Sequence, residues 1–256
     1  MYTIDLSGKT ALVTGVANKR SLAWAIAQEL AAAGAQVILT YAGERVREGV
    51  EELAGQIPGT PIVECDVSSD ESLDGAFGKI REETERIDYF VHSIAFAQRE
   101  DLEGKFIDTS REGFRIALDI SAYSLLALTR RVVPLMTAGG SIVSLTYIAA
   151  QRAVPSYNVM GTAKASLEQI TRQLAWELGP EGVRINCISA GPLNTLSARG
   201  ISGFTGILKH YEGRAPLQRN VAHKEVGTAG LFLLSDLAGG ITGTTLFVDA
   251  GYHIVL

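Results

Sequence analysis

Two residues in the second half of the chain could stabilise negative charge that develops on a bound molecule. Tyr157 and Lys164 are seven positions apart, so in a helix they would be separated by about 700° of rotation, within about 20° of one face, and by roughly 10 Å along the axis. A tyrosine hydroxyl can donate a proton or a hydrogen bond to an oxygen that gains charge. A lysine can bind sugar hydroxyls and hold a positive potential nearby. An amphipathic helix with a surface lysine would show the same pattern, so the interpretation depends on what surrounds the pair.

The surroundings are an alternation of short apolar runs and longer helical patterns. We predict strands at Lys9–Thr14, Gln36–Tyr41, Ile62–Cys65, Tyr89–Ser93, Ser141–Thr146, Val183–Ser189 and Thr244–Val248. We predict helices at Ser21–Ala33, Glu44–Gln56, Asp70–Glu85, Arg111–Thr137, Tyr157–Leu178 and His223–Leu237. Because most strands are apolar nearly throughout, they suit a parallel sheet that helices cover on both faces. The prediction is α/β: a single doubly wound Rossmann domain over residues 1–256 with a seven-stranded parallel sheet.

Composition excludes several other classes of protein. The 256 residues include 46% hydrophobic residues and carry a formal net charge of −5. A chain this apolar can bury enough surface to fold, which excludes an intrinsically disordered protein. The acidic balance argues against nucleic-acid binding. No run approaches the roughly 20 apolar residues of a membrane span, and the N-terminus does not resemble a signal peptide.

The two cysteines give information about the cellular compartment and not about a catalytic role. Cys65 and Cys187 both lie in apolar runs, which favours buried core thiols over a redox or metal site. Free thiols used in this way fit a reducing environment, so we expect a cytoplasmic protein. We expect no metal ion, because no Cys/His spacing suggests one.

A short loop after the first predicted strand could hold a phosphate group. Gly15 follows the strand and Ser21 opens the next helix, in the run TGVANKRSLAWAIA. Backbone N–H groups there could approach a pyrophosphate, and the helix N-terminus would add a partial positive charge. The run is not G-x-G-x-x-G, so a tight turn with Ser21 as the N-cap explains it equally well.

Other loops at the carboxyl ends of the strands add support, because doubly wound sheets bind ligands there. Asp66, which precedes Val67 after the third strand, could accept a hydrogen bond from an adenine amino group. The run His92–Ala97 consists largely of small residues that leave room for a flat ligand. Ala42 and Gly43 follow the second strand, where an acidic residue would bind ribose hydroxyls and a basic pair would favour a 2′-phosphate. Neither is present, and we favour NADH as the cofactor, with NADPH as the alternative.

The connection after the sixth strand, at about 193–224, is far longer than the usual two to six residues. Long connections of this kind often form lids or binding elements. The segment ISGFTGILKHYE could cover an apolar chain and exclude water. Five basic residues and one acidic residue lie between positions 197 and 224, which suggests a surface for an acidic partner, although an ordinary solvated loop would look the same.

Together these features resemble a known family over almost the whole chain. The sequence is similar to the NAD(P)H-dependent enoyl-[acyl-carrier-protein] reductases of the short-chain dehydrogenase/reductase superfamily. The matching runs are LVTGVANKRSLAWAIA, CDV, VHSIAFA, DISAYS, YNVMGTAKASLE, GPEGVRINCISAGP and GITG…VDAGYHI. Most of the superfamily spaces its tyrosine and lysine as Y-x-x-x-K, whereas the spacing from Tyr157 to Lys164 marks the enoyl-reductase branch. HSIAFA also replaces the NNAG-like run of carbonyl-reducing members.

The resemblance implies a reaction and a set of site residues. Hydride would pass from NADH to the trans-2 double bond of an enoyl thioester in fatty acid biosynthesis, with Tyr157 stabilising the enolate, Lys164 binding the nicotinamide ribose and Tyr147 lining the acyl site. The positions that match cofactor contacts are Gly15, Ser21, Leu22, Asp66, Val67, Ile94, Leu193 and Thr195. Ala97 matches a substrate contact, and Ser144, at the spacing of a catalytic serine in carbonyl reductases, is interpreted as a strand residue.

The resemblance also implies partners, namely an acyl carrier protein that presents the enoyl chain and three further copies in a homotetramer. Two other functions remain open from the sequence. One is a 3-oxoacyl or other carbonyl reductase on the same fold. The other is a non-catalytic NAD-sensing protein, since fold alone does not determine function.

Overall fold

Seven parallel strands form one sheet in the computed structural model, which describes residues 3–195 and 204–255. The strands are β1 (Thr10–Thr14), β2 (Gln36–Tyr41), β3 (Ile62–Glu64), β4 (Tyr89–His92), β5 (Gly140–Thr146), β6 (Val183–Ala190) and β7 (Thr245–Val248). Their order across the sheet is β3-β2-β1-β4-β5-β6-β7. The chain therefore winds outward from β1 in one direction and from β4 in the other, which confirms the doubly wound prediction.

Helices cover both faces of the sheet. Among the described residues they are α1 (Leu22–Ala32), α2 (Glu44–Ala54), α3 (Asp70–Glu83), α4 (Arg111–Leu118), α5 (Ser124–Val132), α6 (Asn158–Leu178), α7 (Phe204–Arg214) and α8 (His223–Leu234). Val13 of β1 packs in a core cluster with residues of α1 and α8, and its neighbour Leu12 packs in a second cluster with residues of α3, α5 and α6. Successive strand residues point to opposite faces, so a strand covered on both sides must be apolar throughout.

One predicted helix is wrong as a continuous element. The pattern at Arg111–Thr137 predicts one long helix, but α4 and α5 are separated by a π-helical turn at Asp119–Tyr123. At this turn the Ser124 hydroxyl donates to the carbonyl of Ile120 at 2.6 Å, a side-chain bond of the kind that competes with regular helix geometry. Pro134, which has no N–H to donate, lies in the short 3₁₀ segment that ends the helical run at Leu135.

The remaining predicted elements are confirmed, with small differences at their ends. The largest is at the C-terminus of His223–Leu237, where α8 ends at Leu234. The long connection after β6 contains α7, which the sequence pattern did not identify as a helix. None of the helices in the described ranges is both long and apolar enough to cross a membrane.

Candidate active site

The loop after β1 touches the end of β4, where the strand connections switch direction. Thr14 and His92 are register partners in these two strands, so the residues that follow them leave the sheet side by side. Gly15 adopts a φ of +85°, and a Cβ atom there would lie 1.9 Å from the carbonyl oxygen of Ser93. Only glycine fits this close approach. This is the switch point of the strand order, and doubly wound sheets bind their ligands in the crevice at that point.

Ser21 shapes the same loop in a way that differs from the N-cap interpretation. It occupies the N-cap position of α1 but makes no side-chain capping bond to that helix. Its hydroxyl oxygen instead accepts from the backbone N–H groups of Ala17, at 3.0 Å, and Asn18, at 3.1 Å. The first turn of α1 carries no acidic side chain. The partial positive charge of the helix N-terminus is therefore not offset locally and favours an anionic ligand.

The predicted contacts on the adenine side lie at the same edge of the sheet. Leu22 begins α1 and packs against the core cluster that contains Val13. Asp66 is exposed, and its Oδ1 accepts from the backbone N–H of Ser68 at 3.0 Å and from its hydroxyl at 2.8 Å, while Val67 is buried. Because β3 lies two strands from β1, Asp66 is roughly 10 Å to one side of the crevice.

On the other side of the crevice, Ile94 and Ala97 follow β4 and are partly buried. The segment is tied to the π-helical turn by Ser121, whose hydroxyl accepts from the N–H of Phe96 and donates to its carbonyl, both at 2.9 Å. The π-helical turn, which the sequence did not predict, thus helps to position the predicted substrate-contacting segment. Its only sequence signal is the DISAYS run.

Leu193 and Thr195 leave the carboxyl end of β6. Leu193 is buried in the core, and the N–H of Thr195 donates to the carbonyl of Leu193 at 2.7 Å. Part of the predicted lid, residues 196–203, lies outside the described residues. The part that follows contains α7.

The structure brings Tyr147 and Tyr157 together. Tyr147 follows β5, and Tyr157 stands immediately before α6 with a backbone φ of −105°. Its neighbours Ser156 and Asn158 have φ values of +61° and +35°, so a sharp bend precedes the helix. The two tyrosine rings lie 4.9 Å apart at an angle of 48°. This contact orients both phenols at the carboxyl end of β5.

Lys164 is the buried cation of the site. Its side chain is 5% exposed, and its Nζ donates to the backbone carbonyl of Leu145 at 2.7 Å. Burial lowers the pKa of Lys164 to about 8, since the charged form loses hydration. Burial raises the pKa of Tyr157, so its phenol keeps its proton at neutral pH. The site therefore combines a cationic lysine with a neutral hydroxyl donor.

Several site residues were not predicted from the sequence. Tyr211 of α7 bonds Tyr147 through their hydroxyl oxygens, 3.1 Å apart, and stacks on Tyr252 near the C-terminus. His92 is fully buried between Ser144 and Ser124, with its Nδ1 3.0 Å from the Ser144 oxygen and its Nε2 2.9 Å from the Ser124 oxygen. These residues come from distant parts of the chain, so no local spacing could have linked them.

Comparisons with known proteins agree with this geometry. A model of the family described as Enoyl-(Acyl carrier protein) reductase matches residues 15–253. The chain is 52% identical over 252 residues to the enoyl-[acyl-carrier-protein] reductase [NADH] FabI of Bacillus cereus, covering 98% of each protein. It is 48% identical over 254 residues to the enoyl-[acyl-carrier-protein] reductase [NADPH] FabI of Staphylococcus aureus (strain MRSA252), covering 98% of this chain and 99% of that protein.

Solved structures lead to the same assignment. The crystal structure of the Bacillus cereus enoyl-acyl carrier protein reductase with NADP+ and indole naphthyridinone superposes with a TM-score of 0.96 at 50% identity, covering 100% of both chains. The family match, the identity over the full length and the shared fold point in one direction. The chain belongs to the enoyl-[acyl-carrier-protein] reductase family.

Proposed function

We propose that this chain reduces the trans-2 double bond of an enoyl thioester carried by acyl carrier protein, with NADH as the hydride donor. The observation that carries the proposal is the contact between Tyr147 and Tyr157, whose rings lie 4.9 Å apart at the carboxyl end of β5. Buried Lys164 is the seventh residue of the helix that Tyr157 precedes, at the end of its second turn. This is the set of groups that an enolate-forming reduction requires.

The crevice residues fit a dinucleotide. Gly15 lets the backbone after β1 approach β4 within contact distance, and the N-terminus of α1 offers N–H groups with no nearby carboxylate in its first turn. We propose that the pyrophosphate lies there and that Asp66 and Val67 hold the adenine. Ser21, Leu22, Ile94, Leu193 and Thr195 would complete the cofactor contacts. Bound NADH would supply the hydride.

The preference for NADH or NADPH depends on the charged side chains that follow β2, where a 2′-phosphate would lie. Relatives named for each cofactor are similarly close, at 52% and 48% identity. In this chain the Arg47 guanidinium donates to Glu51 at 2.8 Å and lies 3.5 Å from Glu44. Because its charge is already compensated, Arg47 has less to offer a 2′-phosphate. We therefore propose that NADH is preferred.

The protein's own groups would act as follows. The neutral Tyr157 hydroxyl donates a hydrogen bond to the thioester carbonyl oxygen, and this bond strengthens as the oxygen gains enolate charge. Lys164 binds the nicotinamide ribose, and its charge provides a positive potential near the reacting atoms. Tyr147 forms a wall of the acyl site, and the backbone at Ala97 contacts the substrate. The largest catalytic contribution expected from these residues is stabilisation of charge on one oxygen.

Ser144 argues against the carbonyl-reductase alternative. It is fully buried in β5, at the spacing from Tyr157 where carbonyl reductases have a catalytic serine. The Ser124 hydroxyl already donates to Ile120, so it accepts from Nε2–H of His92, and the Ser144 hydroxyl donates to Nδ1. A serine occupied inside the sheet in this way is a structural residue rather than a donor to substrate.

One assay tests the proposed function against both alternatives. We expect the protein to oxidise NADH with a crotonyl thioester and to do so far more slowly with an acetoacetyl thioester. Turnover of the acetoacetyl compound alone would identify a carbonyl reductase. Binding of NADH without turnover of either compound would favour the sensor.

The carrier protein would dock beside α7. We propose that Arg199, Lys209 and Arg214 attract its acidic surface. Lys209 and Arg214 are exposed on the described part of this segment, whereas Arg199 lies outside the described residues. Arg219 belongs to the same basic run but pairs with Glu225 through two bonds of 2.8 and 2.6 Å, which neutralises it. The attractive surface is therefore smaller than the sequence count suggested.

We also propose a homotetramer that acts in the cytoplasm. Large apolar side chains are exposed in two separate regions, with Trp176 of α6 77% exposed and Ile254 near the C-terminus 71% exposed. Edge strand β7 is only partly covered. Contact with further copies would bury these side chains and cover the strand edge. Both cysteines are buried and free, which fits a reducing compartment.

A further inference from the structure

A chain of aromatic contacts connects α7 to the site tyrosines. The Tyr147 hydroxyl lies 3.1 Å from the hydroxyl of Tyr211, whose side chain is buried on the inner side of α7. The ring of Tyr211 stacks on Tyr252 with centroids 3.6 Å apart and an angle of 15°. The next residue back, His210, brings its Nε2 to 3.1 Å from the Tyr252 hydroxyl. Two successive residues of α7 therefore hold the same C-terminal tyrosine.

These contacts border a cavity of about 460 Å³. Its lining includes Tyr147, Val154 and Pro155 on one side, Ile207 and Tyr211 of α7 on the other, and Tyr252. The wall is mainly apolar and aromatic, which suits an acyl chain. Tyr147 is shared by this cavity and by the ring contact with Tyr157. The orientation of the Tyr147 phenol therefore affects both the wall of the cavity and the packing of Tyr157.

We propose that Tyr211 is a positioning residue: its hydroxyl, fixed by the stack on Tyr252, holds Tyr147 in the orientation that supports Tyr157 and shapes the acyl cavity. The proposal rests on the enoyl-reductase function proposed above. The side-chain contacts of Tyr211 described above are with Tyr147 and Tyr252, so its proposed effect on Tyr157 passes through Tyr147. The hydroxyl pair joins residues 64 positions apart and couples α7 to the sheet edge.

The test is a double-mutant cycle on kcat and KM with a crotonyl thioester, using Tyr147→Phe, Tyr211→Phe and the double variant. If Tyr211 acts only through the hydroxyl pair, Tyr211→Phe lowers kcat about fivefold in the unsubstituted protein and has no further effect in Tyr147→Phe. The matched control is Tyr252→Phe, which removes the contact with His210 but keeps the stack on Tyr211. Tyr252→Phe and Tyr147→Phe should change kcat independently, so the fold-change in that double variant should be the product of the two single fold-changes.

A parallel cycle on the unfolding equilibrium separates positioning from simple packing. We expect Tyr147→Phe and Tyr211→Phe to be coupled in both cycles. Coupling in unfolding without coupling in kcat would make the pair merely structural and overturn the proposal, as would independent effects on kcat. Absence of crotonyl reduction by the unsubstituted protein would instead contradict the proposed function itself.

Discussion

At the scale of single residues, the proposed chemistry depends on a phenol that stays protonated. Burial raises the pKa of Tyr157, so the hydroxyl remains a donor throughout the neutral range. We predict that Tyr157→Phe slows crotonyl reduction about 10²-fold, since one donor to a developing oxyanion is lost. The affinity for NADH, measured by fluorescence titration, should stay within about twofold because the ribose contacts are kept.

Tyr123→Phe is a matched control for this substitution. Tyr123 is 40% exposed at the end of the π-helical turn, so loss of its hydroxyl should leave kcat unchanged. If Tyr157→Phe turned over at the unsubstituted rate, the role assigned to Tyr157 would be wrong.

Lys164 leads to a prediction about pH. Burial lowers its pKa to about 8, which means that the side chain is charged below pH 8 and neutral above it. Hydrogen bonds from a charged donor are about twice as strong as neutral ones. We predict that the Kd for NADH is constant from pH 6.5 to 7 and rises about threefold to tenfold towards pH 9.5.

The control for the pH effect is Lys164→Met, which removes the titrating group and keeps an unbranched chain. Its Kd should be higher and should not change between pH 7 and pH 9.5. A Kd for the unsubstituted protein that did not change over the same range would show that the charge of Lys164 contributes nothing to NADH binding.

At the scale of elements, the crevice depends on how closely the loop after β1 approaches β4. A methyl group at Gly15 would meet the Ser93 carbonyl oxygen, and the φ of +85° would be strained as well. We predict that Gly15→Ala lowers the free energy of unfolding by about 3 kcal/mol. NADH affinity should fall more than tenfold, because the loop that we propose to bind the pyrophosphate must move away from β4.

Gly8→Ala separates strain from close approach in this experiment. Gly8 has a φ of +76°, but a Cβ atom there would meet nothing within 4 Å. Only the strain cost of about 1 kcal/mol should remain, with NADH affinity unchanged. Equal losses of stability for the two variants, measured by urea unfolding, would contradict the account of Gly15.

At the scale of the whole molecule, the net charge is −5, but the proposed docking surface at α7 is locally basic in sequence. We predict that reversing Arg199, Lys209 and Arg214 to glutamate raises the KM for a carrier-linked enoyl substrate about tenfold, since electrostatic attraction of an acidic partner is lost. The KM for the corresponding coenzyme A thioester should change much less. Steady-state kinetics with both substrates would measure the difference.

Lys79→Glu is the control for surface charge alone. Lys79 is exposed on α3, a different helix from α7, and its reversal should leave both KM values unchanged. Equal increases for the two substrates in the triple variant would remove the docking hypothesis.

Local patterns predicted most of the architecture because they reflect interactions between near neighbours. Apolar strands, helix periodicity and the spacing of Tyr157 and Lys164 can all be recognised within short stretches of sequence. The doubly wound sheet follows from the alternation of predicted strands and helices. Two elements were exceptions. The periodicity at Arg111–Thr137 did not predict the π-helical turn that divides this helix, and the connection after β6 was not predicted to contain α7.

The site needed contacts between distant segments. Burial of Lys164, which lowers its pKa, arises from packing of α6 on the sheet. The Ser21 hydroxyl accepts hydrogen bonds from the loop before it and does not cap the helix after it. The pairing of Tyr147 with Tyr211 spans 64 positions. Such contacts depend on how the finished layers pack. The amino-acid sequence therefore predicted the candidate side chains, whereas only the tertiary structure decided their burial, protonation states and mutual orientation.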